Sequence, residues 1–240
     1  MPSGTIILGS EVKELENSKN SGIIYIRRRT EEGERYMELF IIRHGNTFSD
    51  FFNPPDPPLS QAGERQAEFT GKRISREKID FFYASPLRRT LKTAVIINRY
   101  LHLPIYAWSD LAEQNEHRGG NFLSLREIKE KFEEIEVDKR LIKDNWWKGI
   151  KNDENESYLR AGKVEKFLRE TFEEKDVSIL LVSHGTFGGI LISKFLNLPP
   201  CGYARFSEKN CSISCLEITP GRVKLRYLNR TGHIPDELIT

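Results

Sequence analysis

Cysteine is scarce in this chain. The 240 residues hold three, Cys201, Cys211 and Cys215. Neither their number nor their spacing suits a zinc module or a disulfide framework, so they read as reduced thiols. Long apolar runs are missing as well. None approaches the roughly 20 residues of a membrane span, and the start, MPSGTIILGSEVKE, lacks the basic opening and apolar stretch of a signal peptide. A cytoplasmic chain with no membrane partner is the expectation. Excess charge of one sign is also lacking: 37 Lys and Arg face 35 Asp and Glu, for a formal net charge of +2. That balance argues against a nucleic-acid-binding face spread over the surface. Internal repeats and low-complexity tracts are absent.

What is present is alternation. The length allows one α/β domain with a sizeable core. Residues 1–36 are polar and turn-rich and read as an N-terminal extension, a hairpin or a tail. Residues 37–240 read as one domain with a helical cap inserted around 115–156. MELFII, IDFFYA, IYAW and VSILLVS are short apolar runs of strand length. Between them lie helical patterns. SQAGERQAEFTGKRIS has Ser60 as N-cap. In SPLRRTLKTAVIINRYL, Ser85 is expected at the cap and Pro86 at the first helical position. SLREIKEKFEEIE has the capping-box spacing from Ser124 to Glu127 and a stripe of Leu125, Ile128, Phe132 and Ile135. SYLRAGKVEKFLRETF and GTFGGILISKFLN follow the same logic, and SISCLEITPGRVKLRYLN predicts a hairpin around Pro220-Gly221. Strands alternating with helices predict a mostly parallel sheet covered on both faces, with ligands at the carboxyl ends of its strands.

Chemistry-bearing residues fall at those ends. The first strand stops at Arg43-His44-Gly45. The second runs into Arg88 and Arg89, the third into Glu113, and the last parallel strand into His184-Gly185. Each signal alone is weak, and their coincidence at strand ends is what counts. Glycine after each histidine lets backbone amides approach a ligand. Arginine forks match phosphoryl and carboxylate oxygens. A metal centre built on His44, His184 and Glu113 is one rival, but its cation would sit against Arg43 and Arg89. A Ser-His-Asp hydrolase is another, and VSHGTFGG has no G-x-S-x-G elbow. Phosphoryl transfer to a histidine remains, with arginines offsetting charge and a carboxyl group moving the proton.

With FIIRHGNT, YASPLRRTLKTA, DLAEQNEHRGG, LLVSHGTFGGIL and NCSISCLEI in this order, the chain resembles the histidine phosphatase superfamily in its phosphoglycerate-mutase-like branch. The resemblance spans roughly residues 37–234. It implies a three-layer α/β/α sandwich with a mostly parallel central sheet and a reaction needing neither metal nor other cofactor. It also implies that His44 is the phosphorylated nucleophile, Glu113 the proton donor and His184 the second pocket histidine. Arg43 and Arg89 would hold the phosphate, Arg89 being the arginine of the S-P-L-x-R pattern. Relatives often place an asparagine seven residues after the RHG arginine. That place is Asp50 here, and Asn53, three further on, is the candidate substitute. Glu116 competes with Glu113, and His117 stands where a glycine is usual.

These features imply a phosphomonoesterase acting on a phosphorylated small molecule or a phosphoprotein. A phosphoglycerate mutase and a non-catalytic interaction module on the same fold are the alternatives. His102 and His233 read as structural. KDNWWKGIKNDENE reads as loop; its Trp146 and Trp147 either pack the cap onto the body or line a substrate cleft, and the basic run around them suits anionic substrates.

Overall fold

Alternation within strands sets the layers. Phe40 and Ile42 of strand β1 (Met37–Arg43) pack on one face with Phe82 of β2 (Phe81–Ala84) and Leu180 and Val182 of β5 (Val177–Ser183). Leu39 and Ile41, Tyr83, and Ile179 and Leu181 pack on the other. A period of two is what a strand buried on both faces must show. The first face is covered by helix α2 (Arg88–Asn98) through Leu91, Ala94 and Ile97, with α1 (Gln61–Ile74) alongside. The second is covered by α4 (Glu154–Phe172) through Val164 and Leu168 and by α5 (Gly185–Phe195) through Phe187 and Leu191. The three-layer α/β/α sandwich expected from the sequence is the fold. This computed structural model describes residues 36–48, 56–114, 122–149, 153–201 and 205–240.

With β3 (Ile105–Ala107), β4 (Ile135–Glu136), β6 (Ile213–Thr219) and β7 (Arg222–Arg230), the sheet has seven strands among the described residues, in the order β4-β3-β2-β5-β1-β6-β7. The first five run parallel, and the hairpin β6–β7 adds antiparallel to β1. The helix after β1 lies on one face and the helix after β5, its neighbour, on the other. A crevice therefore opens between the carboxyl ends of these two strands, the usual ligand place in such sheets. Register levels those ends: Arg43 pairs with Ser183, and Ala84 with Val182. The next residues of β1 and β5, His44 and His184, therefore emerge at one height, with Ser85 level with Ser183 just below them.

Three local expectations are corrected. The second helix begins at Arg88, not at Pro86 behind a Ser85 cap. Ser85 is still extended, its N–H donating to Val182 O, and the Arg88 N–H is met instead by both Asp56 carboxylate oxygens at 3.0 Å. The helix predicted through residue 136 is α3 (Leu125–Lys131), with its capping box intact. It ends at Phe132 because Ile135 leaves the helical stripe to pair with Ile105 as β4, tertiary pairing overriding a weak helical preference. The segment around Trp146 and Trp147, expected as loop, is a 3₁₀ turn at Trp146–Gly149. The Trp146 ring packs on Phe122 and its Nε1–H donates to Leu123 O, which favours the packing role for this residue.

Ser60 caps α1 as expected, accepting from Gly63 N at 3.0 Å. Of the predicted cap, the described part holds α3, β4 and the 3₁₀ turn, with β4 forming an edge of the main sheet. The N-terminal extension up to residue 35, Asp50, Asn53, Glu116 and His117 lie outside the described residues. No described helix is long and apolar enough to cross a membrane.

Candidate active site

The site begins with a backbone constraint. A Cβ on Gly45 would lie 2.5 Å from the Gly63 carbonyl oxygen, so only glycine lets the loop after β1 pass under α1. Gly45 N–H donates to Thr93 Oγ1, whose hydroxyl donates to Arg89 O. The start of α2 is thereby tied to the loop that carries His44.

His44 is 7% exposed. Its Nδ1 lies 2.8 Å from the Gly45 carbonyl oxygen, a pure acceptor, so Nδ1 carries the proton and Nε2 keeps its lone pair. That lone pair receives a hydrogen bond from Arg89 Nε at 3.2 Å. Arg89 Nη2 sits 3.1 Å from His184 Nδ1, which must accept, so His184 Nε2–H donates to Ser85 Oγ at 2.8 Å. One buried guanidinium thus bridges two imidazoles and sets both tautomers. Its Nη1 donates to Asp56 at 3.3 Å, which holds the fork in place. Burial, then the Arg89 charge, pushes both histidines well below the usual imidazole range, so both are neutral near pH 7.

Glu113 stands at the partly exposed mouth. Its carboxylate accepts from the N–H groups of Phe187 at 2.9 Å and Thr186 at 3.2 Å, in the first turn of α5, and from Gln114 N at 2.8 Å. Desolvation raises its pKa, and these three donors oppose the rise. Arg43 packs against Gly185, where a Cβ would lie 3.2 Å from its Nε, and Nη1 donates to Glu208 O at 2.6 Å. Its buried Nε has no hydrogen-bond partner among the described residues.

His44, Arg89 and His184 are in direct contact, with Arg43 and Glu113 on the α5 side of the same crevice. Arg88 meets the Asp56 carboxylate through its backbone N–H and a 4.0 Å ion pair. His102 lies three residues past Arg99, the C-cap of α2, in a left-handed conformation, φ 56°, and its N–H donates to Asn98 O. His233 binds Thr70 and Cys211 O through Nε2.

Such an arrangement offers a nucleophilic nitrogen, cationic donors for an oxyanion and a carboxyl group able to change protonation state. The histidine phosphatase superfamily (branch 1) matches residues 39–231. The chain belongs to this superfamily. The chain is 32% identical over 185 residues to a probable phosphoglycerate mutase, GpmB, of Yersinia enterocolitica, covering 74% of this chain and 83% of that one. It is 28% identical to the mitochondrial serine/threonine-protein phosphatase Pgam5 of Drosophila yakuba, over 87% of this chain and 68% of the relative. Among solved structures, a mycobacterial glucosyl-3-phosphoglycerate phosphatase complexed with VO3 superposes with a TM-score of 0.58 at 22% identity, covering 80% of this chain and 98% of that one. A phosphoserine phosphatase of Entamoeba histolytica in complex with phosphoserine gives 0.59 at 22% identity, covering 83% and 100%. These two share the histidine phosphatase fold with this chain.

Four residues of the site were not foreseen. Asp56 lies in the proline-rich PPDPP. Asn210 donates to His44 O, and Cys211 N–H, at φ 56°, donates to Arg43 O. Arg160 of α4 donates to the carbonyl oxygens of Ala112 and Asp110, with its guanidinium 4.4 Å from the Phe187 ring centroid, and so braces the turn bearing Glu113. Asn210 and Cys211 had a signal in the NCS of the family pattern; Asp56 and Arg160 had none.

Proposed function

We propose that the chain is a phosphomonoester hydrolase working through a phosphohistidine on His44. The observation that carries this reading is the tautomer of His44: Nδ1–H fixed on Gly45 O, with Nε2 unprotonated and turned toward Arg89. A phosphoryl group entering the crevice takes over the Arg89 Nε and Nη2 donors, and Arg43 offers its unpartnered Nε. His44 Nε2 attacks phosphorus, an N–P bond forms, the P–O ester bond breaks, and the leaving oxygen takes the Glu113 proton. The Glu113 carboxylate then removes a proton from water. The water oxygen attacks phosphorus, the N–P bond breaks, inorganic phosphate departs and His44 returns neutral. Neutral His184 donates to Ser85 and accepts from Arg89, which keeps the guanidinium aimed at the equatorial oxygens. Asn53 is proposed as a further phosphate contact.

Because Arg89 fills the gap between the imidazoles, a metal ion there would have to displace it. Chelator is therefore expected to leave turnover intact. Phosphatase assays over a panel of phosphorylated small molecules and phosphopeptides, with chelator present, test the reading. Failure to release phosphate from any of them would sink it. The likeness to a probable phosphoglycerate mutase supports a second reading, in which the phosphohistidine returns its phosphoryl group to a reoriented glycerate. With 3-phosphoglycerate and a bisphosphoglycerate primer, that reading expects 2-phosphoglycerate, whereas the hydrolase reading expects inorganic phosphate.

A further inference from the structure

A second concentration of positive charge lies away from the catalytic centre. Where the end of β7 and the following turn cross α1, an open cleft of about 470 Å³ is lined by Phe69, Lys72, Arg73, Arg76, Arg230 and His233. None of these residues belongs to the catalytic centre. Gly63, under which the His44 loop passes, is at the other end of α1, and ten helical residues separate it from Arg73 by about 15 Å.

The cleft's charge is poorly balanced. Arg73 pairs with Glu77 at 2.7 Å. Lys72, Arg76 and Arg230 are exposed, and none of them has an ion-pair partner among the described residues. Two of these cations lean on rings instead, Lys72 on Phe69 and Arg230 on Tyr227. Four cations less one carboxylate leave +3 in a single concavity, on a chain whose net charge is +2. His233 adds none: burial pushes its pKa to about 4, and Arg73 and Arg230 add to that depression. Like charges gathered around one hollow repel, and an anion bridging them removes that cost.

We propose that this cleft binds a small polyanion carrying two or more phosphoryl groups. The volume exceeds what one phosphate needs and lies in the range of small-molecule sites, about 300–1,000 Å³. Charge sets the class: each phosphoryl group carries about −1.5 to −2, so two match the cleft, whereas a dicarboxylate falls short. Guanidinium forks on Arg76 and Arg230 suit phosphoryl oxygens bidentately.

Calorimetric titration of the full chain with inorganic pyrophosphate tests this, with the catalytic pocket filled by vanadate. Binding is expected to persist under vanadate, to weaken at least tenfold in the Arg76→Gln/Arg230→Gln variant, and to be at least tenfold weaker for succinate. Nitrophenyl phosphate turnover by the same variant should be unchanged. The exposed pair Lys72→Gln/Arg76→Gln gives the same readout should the first pair fail to fold. Wild-type affinity in a folded variant, no binding at all, or loss of binding once vanadate is present would each overturn the proposal. The variant comparison does not depend on the catalytic reading.

Discussion

Two carboxyl groups flank Arg43, and they are built differently. Glu113 sits at the mouth of the crevice, and Glu208 lies behind the arginine, 1% exposed. Burial raises the pKa of both. At the mouth, three backbone N–H groups stand ready for the anion, two of them at the positive end of α5. At the back, Ser214 Oγ donates to one Glu208 oxygen while the other has no partner among the described residues. Its pKa is pushed up to about 8, so the carboxyl is protonated at neutral pH. Desolvation alone therefore does not make a proton donor. A proton donor must also tolerate losing its proton, and the mouth offers three backbone N–H groups to the resulting charge where the back offers a single hydroxyl.

The contrast can be broken from the largest effect downward. His44→Ala removes the proposed nucleophile, and with it the reaction in which Glu113 would act. Turnover should fall by on the order of 10³-fold or more, and acid-labile labelling from a phosphorylated substrate should vanish. Surviving label would move the nucleophile elsewhere. Glu113→Gln is expected to cost roughly 10²–10⁴-fold on alkyl phosphates, whose leaving oxygen needs a proton, and far less on nitrophenyl phosphate, which leaves as a stable anion. Equal losses on the two esters would refute general acid catalysis by Glu113.

Glu208→Gln should spare turnover by comparison and change the pH dependence of stability instead. The folded pKa of Glu208, about 8, lies above the ordinary value of 4.5. Between those values the native state binds more protons than the unfolded one, so this group lowers stability as pH rises, by up to roughly 1.4 kcal/mol per pH unit. The glutamine variant cannot ionise. Denaturant midpoints of wild type relative to the variant should therefore fall between about pH 5 and pH 8, then level off. Parallel pH profiles would mean that Glu208 is not held protonated.

The parts of this site legible in the sequence are those whose signal is local. β1 and β5 are largely apolar runs followed directly by a histidine and a glycine, and the capping serines of α1 and α3 stand next to their helices. What escaped depends on contacts across the chain. Ser85 looks like a cap, yet its hydroxyl serves His184, 99 residues away, while the N–H groups it was expected to satisfy are met by Asp56. Ile135 continues a helical stripe and still leaves it, because the edge of β3 is open to pairing. Arg160 is buried in an ordinary amphipathic helix, and nothing local in the sequence distinguishes it from the surface cations of α4.

The smallest effect concerns how tightly the back of the site is packed. A Cβ added to Gly188 would overlap the unpartnered oxygen of Glu208, and it would touch Ile41 at 3.5 Å. The clashing atom ends a side chain rather than belonging to the backbone, so the carboxyl can yield, but it is sealed and has little room. The clash alone should cost about 1 kcal/mol in Gly188→Ala, the lower end of the usual cost of overpacking. The helical preference of alanine over glycine works in the opposite direction, also by about 1 kcal/mol. The sign is therefore best read from a double-mutant cycle. With Glu208→Ala in the background the clash is gone and Gly188→Ala should become stabilising, a coupling of at least about 0.5 kcal/mol. Additive effects in urea denaturation would show that Glu208 is free to swing away from α5. The rigid placement of the carboxyl behind Arg43 would then be lost, and with it the contrast with Glu113.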